Sequence, residues 1–160
     1  MKKNFFIIAL LMGLTFSACT KKSPELSEQE KTQIENQILG EWEKICFGIE
    51  NSDSEVYASF IDPDFIQMAS NGSVFYSKEE YINKVRNWFS TRVNTEIQQE
   101  KIIVTALTED IALLDQESDL LVTYKEGNVQ RVHHAVSLVF EKEASGWMII
   151  HGHESFIEIQ

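Results

Sequence analysis

The 160-residue chain carries 25 acidic and 14 basic side chains, a formal net charge of −11, and 43% of its residues are hydrophobic. That suffices for one domain with its own core, and the negative field repels phosphate backbones and anionic headgroups, which argues against nucleic acid or an adsorbed membrane surface as partner. With only two cysteines, Cys19 and Cys46, there is neither a disulfide framework nor a cysteine-based metal pattern.

Lys2 and Lys3 precede an uncharged, mostly apolar run from Phe5 to Phe16, and Ser17-Ala18 stand before Cys19. A basic start, a short apolar stretch and small residues at the cut form a secretory signal. The run is too short to serve comfortably as a permanent membrane span. With cysteine directly after the small pair, the segment resembles a bacterial lipoprotein signal, with Phe16 where such signals usually have leucine. The resemblance implies a signal peptide over residues 1–18, lipidation of Cys19, and anchoring in the bacterial cell envelope on its periplasmic or surface side. Such a leader takes two of the 14 basic residues and no acidic one, leaving 12 against 25 and a formal −13. Cys46 shares a helical face with Leu39 and Trp42, as a small buried hydrophobe does.

Residues 19–27 read as a tether and residues 28–160 as the domain. Ser27-Glu28-Gln29-Glu30 is a capping box, and Ile34, Ile38, Trp42, Ile45 and Ile49 follow at helical spacing, predicting an amphipathic helix to about Asn51. Ser52-Asp53 opens a short second helix holding Val56, Tyr57 and Phe60, stopped by Asp62-Pro63-Asp64. Asn71-Gly72 between two short runs, 65–70 and 73–76, is a type I′ hairpin signal. Ser77-Lys78-Glu79-Glu80 is a second capping box, opening a third helix with Tyr81, Val85, Trp88 and Phe89. Four long strands are predicted at about 96–107, 111–124, 129–143 and 147–156, joined by turns at Glu109-Asp110, Gly127-Asn128 and Ser145-Gly146. Helices first and hairpin-linked strands later is an α+β layout, a curved antiparallel sheet with helices on one face.

This α-α-β-β-α-β-β-β-β order, with Tyr57, Phe60-Ile61-Asp62-Pro63-Asp64-Phe65, Ser77-Lys78-Glu79-Glu80-Tyr81 and the ending Gly146-Trp147 to His151-Gly152-His153-Glu154-Ser155, resembles the SnoaL-like, nuclear-transport-factor-2-like superfamily. Within it the pattern is similar to the association domain of calcium/calmodulin-dependent kinase. The resemblance covers nearly all of the chain beyond the tether, and implies a cystatin-like conical sheet wrapped on the N-terminal helices around a pocket. The fold hosts enzymes, binders and oligomerisation modules alike. In ketosteroid-isomerase-like members the general-base aspartate, oxyanion-site tyrosine and protonated aspartate correspond here to Met68, Ile45 and Val136, so that chemistry has no base, donor or acid. The three pocket arginines of the kinase association domain correspond to Ser118, Leu138 and Glu154.

Carrying over the pocket face places Leu114, Gln116 and Ser118, then His134, Val136 and Leu138, then Met148, Ile150 and Glu154 inward, with Trp42 and Tyr57 from the helices. This is an apolar cavity with a few polar groups, suited to a small apolar or weakly polar ligand; the expected site residues are Trp42, Tyr57, Gln116, Ser118, His134, Leu138 and Glu154. The preferred expectation is a non-catalytic binder without cofactor. An alternative is an enzyme using His134 and Glu154 for proton transfer; another is an oligomerisation or interaction module. Trp88 and Phe89 are expected in the core. His133, His151 and His153, near Asp115, Glu117 and Asp119, are expected on the opposite face together with Leu121, Trp147 and Ile149. That face is read as a homodimer interface rather than a metal site.

Overall fold

The computed structural model describes residues 25–159; the proposed signal, Cys19 and most of the tether lie outside them. Helix α1 (Glu28–Glu50) starts where the capping box predicts: Ser27 Oγ accepts from the Glu30 amide at 3.3 Å, and Glu30 accepts from the Ser27 amide at 2.8 Å. All five residues of its predicted apolar stripe are buried. Helix α2 (Ser54–Ser59) is capped by Asp53, which accepts from the amides of Glu55 and Val56. Strands β1 (Gln67–Ser70) and β2 (Ser73–Phe75) flank Asn71-Gly72, whose φ angles of 44° and 81° are the positive pair a type I′ turn requires. Helix α3 (Lys78–Ser90) differs from expectation at its start. Ser77 Oγ takes the Glu80 amide, but the Glu80 carboxylate turns to the amide of Tyr76 instead of Ser77, so the box closes one residue early.

Strands β3 (Arg92–Ala106), β4 (Ile111–Tyr124), β5 (Val129–Glu143) and β6 (Gly146–Ile159) complete one six-stranded sheet in the order β2-β1-β6-β5-β4-β3. β3 begins four residues before the predicted Glu96, because Arg92 and Asn94 to Glu96 already pair with β4. The sheet is mixed, which corrects the wholly antiparallel expectation: β1 runs parallel to β6, pairing Met68 with Gly152. Sequence neighbours predict hairpins, whereas this pairing joins segments about 80 residues apart and has no local signature. The strand order also puts β2 and β3 on opposite edges. The 13 residues of α3 must therefore cross the sheet face, and about 20 Å of helix against about 24 Å for five strand spacings requires the sheet to curl.

A second correction concerns β6. Val139 pairs with His151 and Phe140 with Ile149, so Ile150 is bulged out of the ladder. The extra residue reverses the parity of everything before it. Trp147 and Ile149 are buried in the core, and Met148 and Ile150, expected in the pocket, lie on the other face. Beyond the bulge Gly152 and Glu154 point inward, with His151 and His153 outward.

Gly152 has no room for a side chain. A Cβ there would meet Met68 Cε at 2.7 Å and Leu138 Cδ2 at 2.8 Å, both residues fully buried. Gly152→Ala is therefore expected to overpack the β1–β6 seam by about 1–3 kcal/mol. Met68→Ala should recover part of this in the double variant, a coupling readable by urea unfolding of all four chains; strict additivity would place the strain elsewhere.

Candidate functional site

The inner face of β4 is apolar at Ala112, Leu114, Leu120 and Val122, and polar between them at Gln116 and Ser118. Cross-strand register sets out two rows over three strands: Gln116, Val136 and Glu154 form one, and Ser118, His134 and Phe156 the next. These rows floor a cavity of about 30 Å³ between the sheet and the helices, room for roughly one or two water molecules. Trp42, Tyr57, Gln116, Ser118, His134, Leu138 and Glu154, the residues singled out from the sequence, all line it. Tyr81, Val85, Trp88 and Phe89 of α3 line it as well, so the expected core pair Trp88 and Phe89 is also cavity wall. Leu114 is buried in the core beside the cavity.

Two kinds of polar group meet here. The first kind is satisfied. Tyr57 and Tyr81 share a hydroxyl contact at 2.9 Å, Tyr81 donates to Glu154 Oε2 at 3.2 Å, and Lys84 donates to Glu154 Oε1 at 3.1 Å and also to Ser70 Oγ. Because the Tyr81 proton goes to Glu154, Tyr57 is the donor to Tyr81. Burial and the nearby Glu154 charge push both phenols well above their ordinary range. Trp42 is likewise occupied, donating from Nε1 to Glu100 at 2.7 Å, and presents only its ring. Glu100 follows Gln99, whose φ of 49° marks the irregular stretch of β3. Cys46, partly buried against Trp42's helix face, has its thiol pushed up by burial and by Glu100, which disfavours the reactive thiolate.

The second kind has no partner. Gln116 Oε1, Ser118 Oγ and His134 Nε2 are buried without a hydrogen bond, and all three residues line the cavity. His134 stacks on Phe156 with centroids 4.5 Å apart. Burial lowers its pKa to about 4, the Glu154 charge opposing only in part, so the imidazole is neutral at pH 7. The structure brings His134 and Glu154 into one cavity, but no hydrogen bond joins them; Glu154 is taken by Tyr81 and Lys84. Sequence reasoning missed Tyr81 and Lys84 as the carboxylate's partners. Their spacing of three, with Trp88 four further on, was the available signal. Phe156, two residues after Glu154 on the same strand face, carried a parity signal too.

On the outer face His133 contacts Asp119 at 3.0 Å and Glu117 at 3.4 Å, and Arg131 pairs with Asp119 at 2.8 Å. Hydrogen bonds from His133 and Arg131 hold Asp119 below the usual carboxylate range. Trp147 and Ile149 are absent from this face because of the Ile150 bulge. No set of three or more His, Cys, Asp or Glu side chains able to hold a metal occurs among the described residues.

Residues 36–159 match the family model of the SnoaL-like domain. The chain belongs to that family. It has the nuclear-transport-factor-2-like, cystatin-like fold, a scaffold for binding or converting small molecules. No curated protein matches the chain. Among solved structures it is similar to a proposed dehydratase of the nuclear-transport-factor-2-like family from Streptomyces avermitilis, with 16% identity over 79% of this chain and 97% of that one at a TM-score of 0.70. It is similar to a proposed calcium/calmodulin-dependent protein kinase II association domain from Xanthomonas campestris, at 20% identity, 75% and 85% coverage and TM-score 0.64. A type 2 hexachlorocyclohexane dehydrochlorinase superposes with TM-score 0.67 at 11% identity, covering 84% of this chain and 94% of that one. At these identities the likeness is one of fold.

The buried imidazole makes stability pH-dependent in a defined sense. Its folded pKa of about 4 lies below the unfolded 6.5, so the unfolded chain takes up the proton first as pH falls. Stability is full above pH 6.5 and is lost between there and pH 4, by roughly 3 kcal/mol at the lower end. Urea unfolding at pH 7 and pH 4 should show the unmodified chain losing that much more than His134→Gln; equal losses would mean that the imidazole is not buried neutral.

Proposed function

We propose that this SnoaL-like domain binds a small, mostly apolar molecule without converting it. The observation that carries this reading is the trio of unpartnered buried atoms, Gln116 Oε1, Ser118 Oγ and His134 Nε2, in one cavity. A buried polar atom left unmade costs about 1–3 kcal/mol, and a ligand hydroxyl or amide N–H lowers that cost by donating to Gln116 Oε1, which a carbonyl could not satisfy. The aromatic and aliphatic remainder of the wall receives its apolar body. A volume near 30 Å³ admits roughly one or two heavy atoms unaided. A larger ligand requires the Trp88 and Phe156 rings, in edge contact at 4.8 Å, to part.

Catalysis has weaker support. Glu154 is engaged by a lysine and a tyrosine, and an imidazole with a pKa near 4 is a feeble base at neutral pH. The enzyme reading keeps one specific point in its favour, a neutral His134 whose Nε2 is free, together with the dehydratase and dehydrochlorinase names of two structural neighbours.

The reading extends to place and assembly. The Lys2-Lys3, apolar, Ser17-Ala18-Cys19 pattern supports a lipid anchor on Cys19 in the bacterial cell envelope. The outer sheet face, with its exposed Ile157 and Ile103 among charged pairs, supports a homodimer. Cys19→Ser should move the protein from the membrane to the soluble fraction, seen by fractionation and blotting; unchanged membrane association would remove the anchor from the proposal.

Native mass spectrometry tests the ligand. The gently purified protein is expected to carry an extra small mass that vanishes on denaturation, and His134→Leu combined with Ser118→Val should lower its occupancy at least about tenfold, as befits two lost hydrogen bonds. A bare chain in both spectra, with no mass captured after incubation with an extract of small metabolites, would refute binding.

A further inference from the structure

On the far side of the Trp88–Phe156 contact lies an open groove of about 480 Å³, bounded by Ser70, Lys84, Tyr124, Gln130 and Glu158, with Arg92 at its floor. Arg92 is only 3% exposed, and its environment is unusual for a buried cation. One face of the guanidinium lies on the Trp88 ring, 3.1 Å from the centroid. Nη1 donates to Thr95 Oγ1 at 3.1 Å, while Nε is buried with no acceptor at all. No Asp or Glu oxygen lies within 4 Å of it among the described residues, where Lys84, Lys31, Lys44, Arg86 and Arg131 each have one. Burial lowers its pKa to about 9, with Glu154 opposing through space, so the cation persists at neutral pH without a carboxylate in direct contact.

An unpaired buried charge is among the most costly arrangements a fold can hold. The free part of this fork is the Nε edge, and that edge matches two coplanar oxygens. Stacking on Trp88 fixes the plane of the fork. Gln130 adds a donor: its Oε1 accepts from Tyr124 at 2.7 Å, which leaves its amide hydrogens for another acceptor. Lys84 stands at the same groove with its charge already shared with Glu154.

From these groups we infer that the groove is a binding site for a small organic carboxylate, paired through its oxygens with Arg92 and reached by the Gln130 amide. A monoanion fits better than a phosphate. One guanidinium is unpaired, Lys84 is already paired with Glu154, and Glu158 lines the groove, so a second negative charge on the ligand meets repulsion with no unpaired cation to answer it. The site stands on the groove and not on the cavity behind Trp88; a cavity found without ligand leaves it intact.

The test reads the Arg92 Nε–H resonance in the full chain labelled with ¹⁵N-arginine, assigned by its loss in Arg92→Lys. Sodium acetate should shift it saturably, whereas acetamide, the neutral isostere, should not. Inorganic phosphate at matched ionic strength should bind about tenfold or more weaker than acetate. In Arg92→Lys, which keeps the charge and loses the fork, acetate affinity followed by Trp fluorescence should fall at least about tenfold. No saturable shift with acetate, or an equal shift with sodium chloride or acetamide, would overturn the site. Phosphate binding tighter than acetate would overturn its ligand class. The decisive shift is read on the unmodified chain, so it holds even where Arg92→Lys does not fold, with Gln130→Leu then expected to weaken acetate binding about threefold or more; no change there would count against the amide's part in the site.

Discussion

A carboxylate on the inner face of a sheet has to be satisfied before anything else in this molecule can settle. Glu154 stands on β6 at 6% exposure, opposite Val136 and within a face that is otherwise built to be dry. Its two oxygens are answered from one helix, by Tyr81 and Lys84, three residues apart on the same side of α3. Removing either partner strands charge in a low-dielectric site, so the pair fixes both the rotation and the height of α3 over the sheet. That helix already has to cross from the β2 edge to the β3 edge. With its N-terminal half pinned on Glu154, the next turns carry Val85, Trp88 and Phe89 over the centre of the face, where they wall the cavity.

The same constraint separates the roles of the polar residues around that cavity. Tyr57, Tyr81, Lys84 and Glu154 form a closed chain in which each donor has an acceptor, and closed chains hold a fold in one arrangement. Gln116, Ser118 and His134 sit one or two strands away and are not part of it. A fold that satisfies a buried carboxylate so fully, and leaves three neutral groups unpaired beside it, puts its fixed charge into structure and its free hydrogen-bonding capacity into the void. This distribution favours recognition over proton transfer. A working acid–base couple needs its two members linked, and here each has been drawn to a different neighbour.

Much of this arrangement was legible beforehand because its causes are local. The period of α1, the Ser27 box, the Asn71-Gly72 turn and the alternation along β4 and β5 each depend on residues within a few positions of one another, and each stands in the structure as read. What was not legible depends on distant partners. The parallel seam between β1 and β6 joins segments far apart in the chain, a fact of topology. The Ile150 bulge inserts one residue into a strand whose sequence, Trp147-Met148-Ile149-Ile150, is apolar throughout, so alternation gives no clue to which residues face the core. Glu154 could be placed in the pocket by parity, since it lies beyond the bulge, yet its partners come from a helix some 70 residues earlier. His134 on the neighbouring strand is the nearer residue in sequence, yet the hydrogen bonds to Glu154 come from Tyr81 and Lys84.

Trp88 draws these threads together. One side of its ring belongs to the cavity, and its face carries the Arg92 guanidinium at the groove. Phe156 is its counterpart on β6, shared by the same two spaces and stacked on His134. The partition between the cavity and the groove is thus two aromatic rings, Phe156 touching His134 and Trp88 touching Arg92. A change of rotamer in either ring alters the environment of both groups at once.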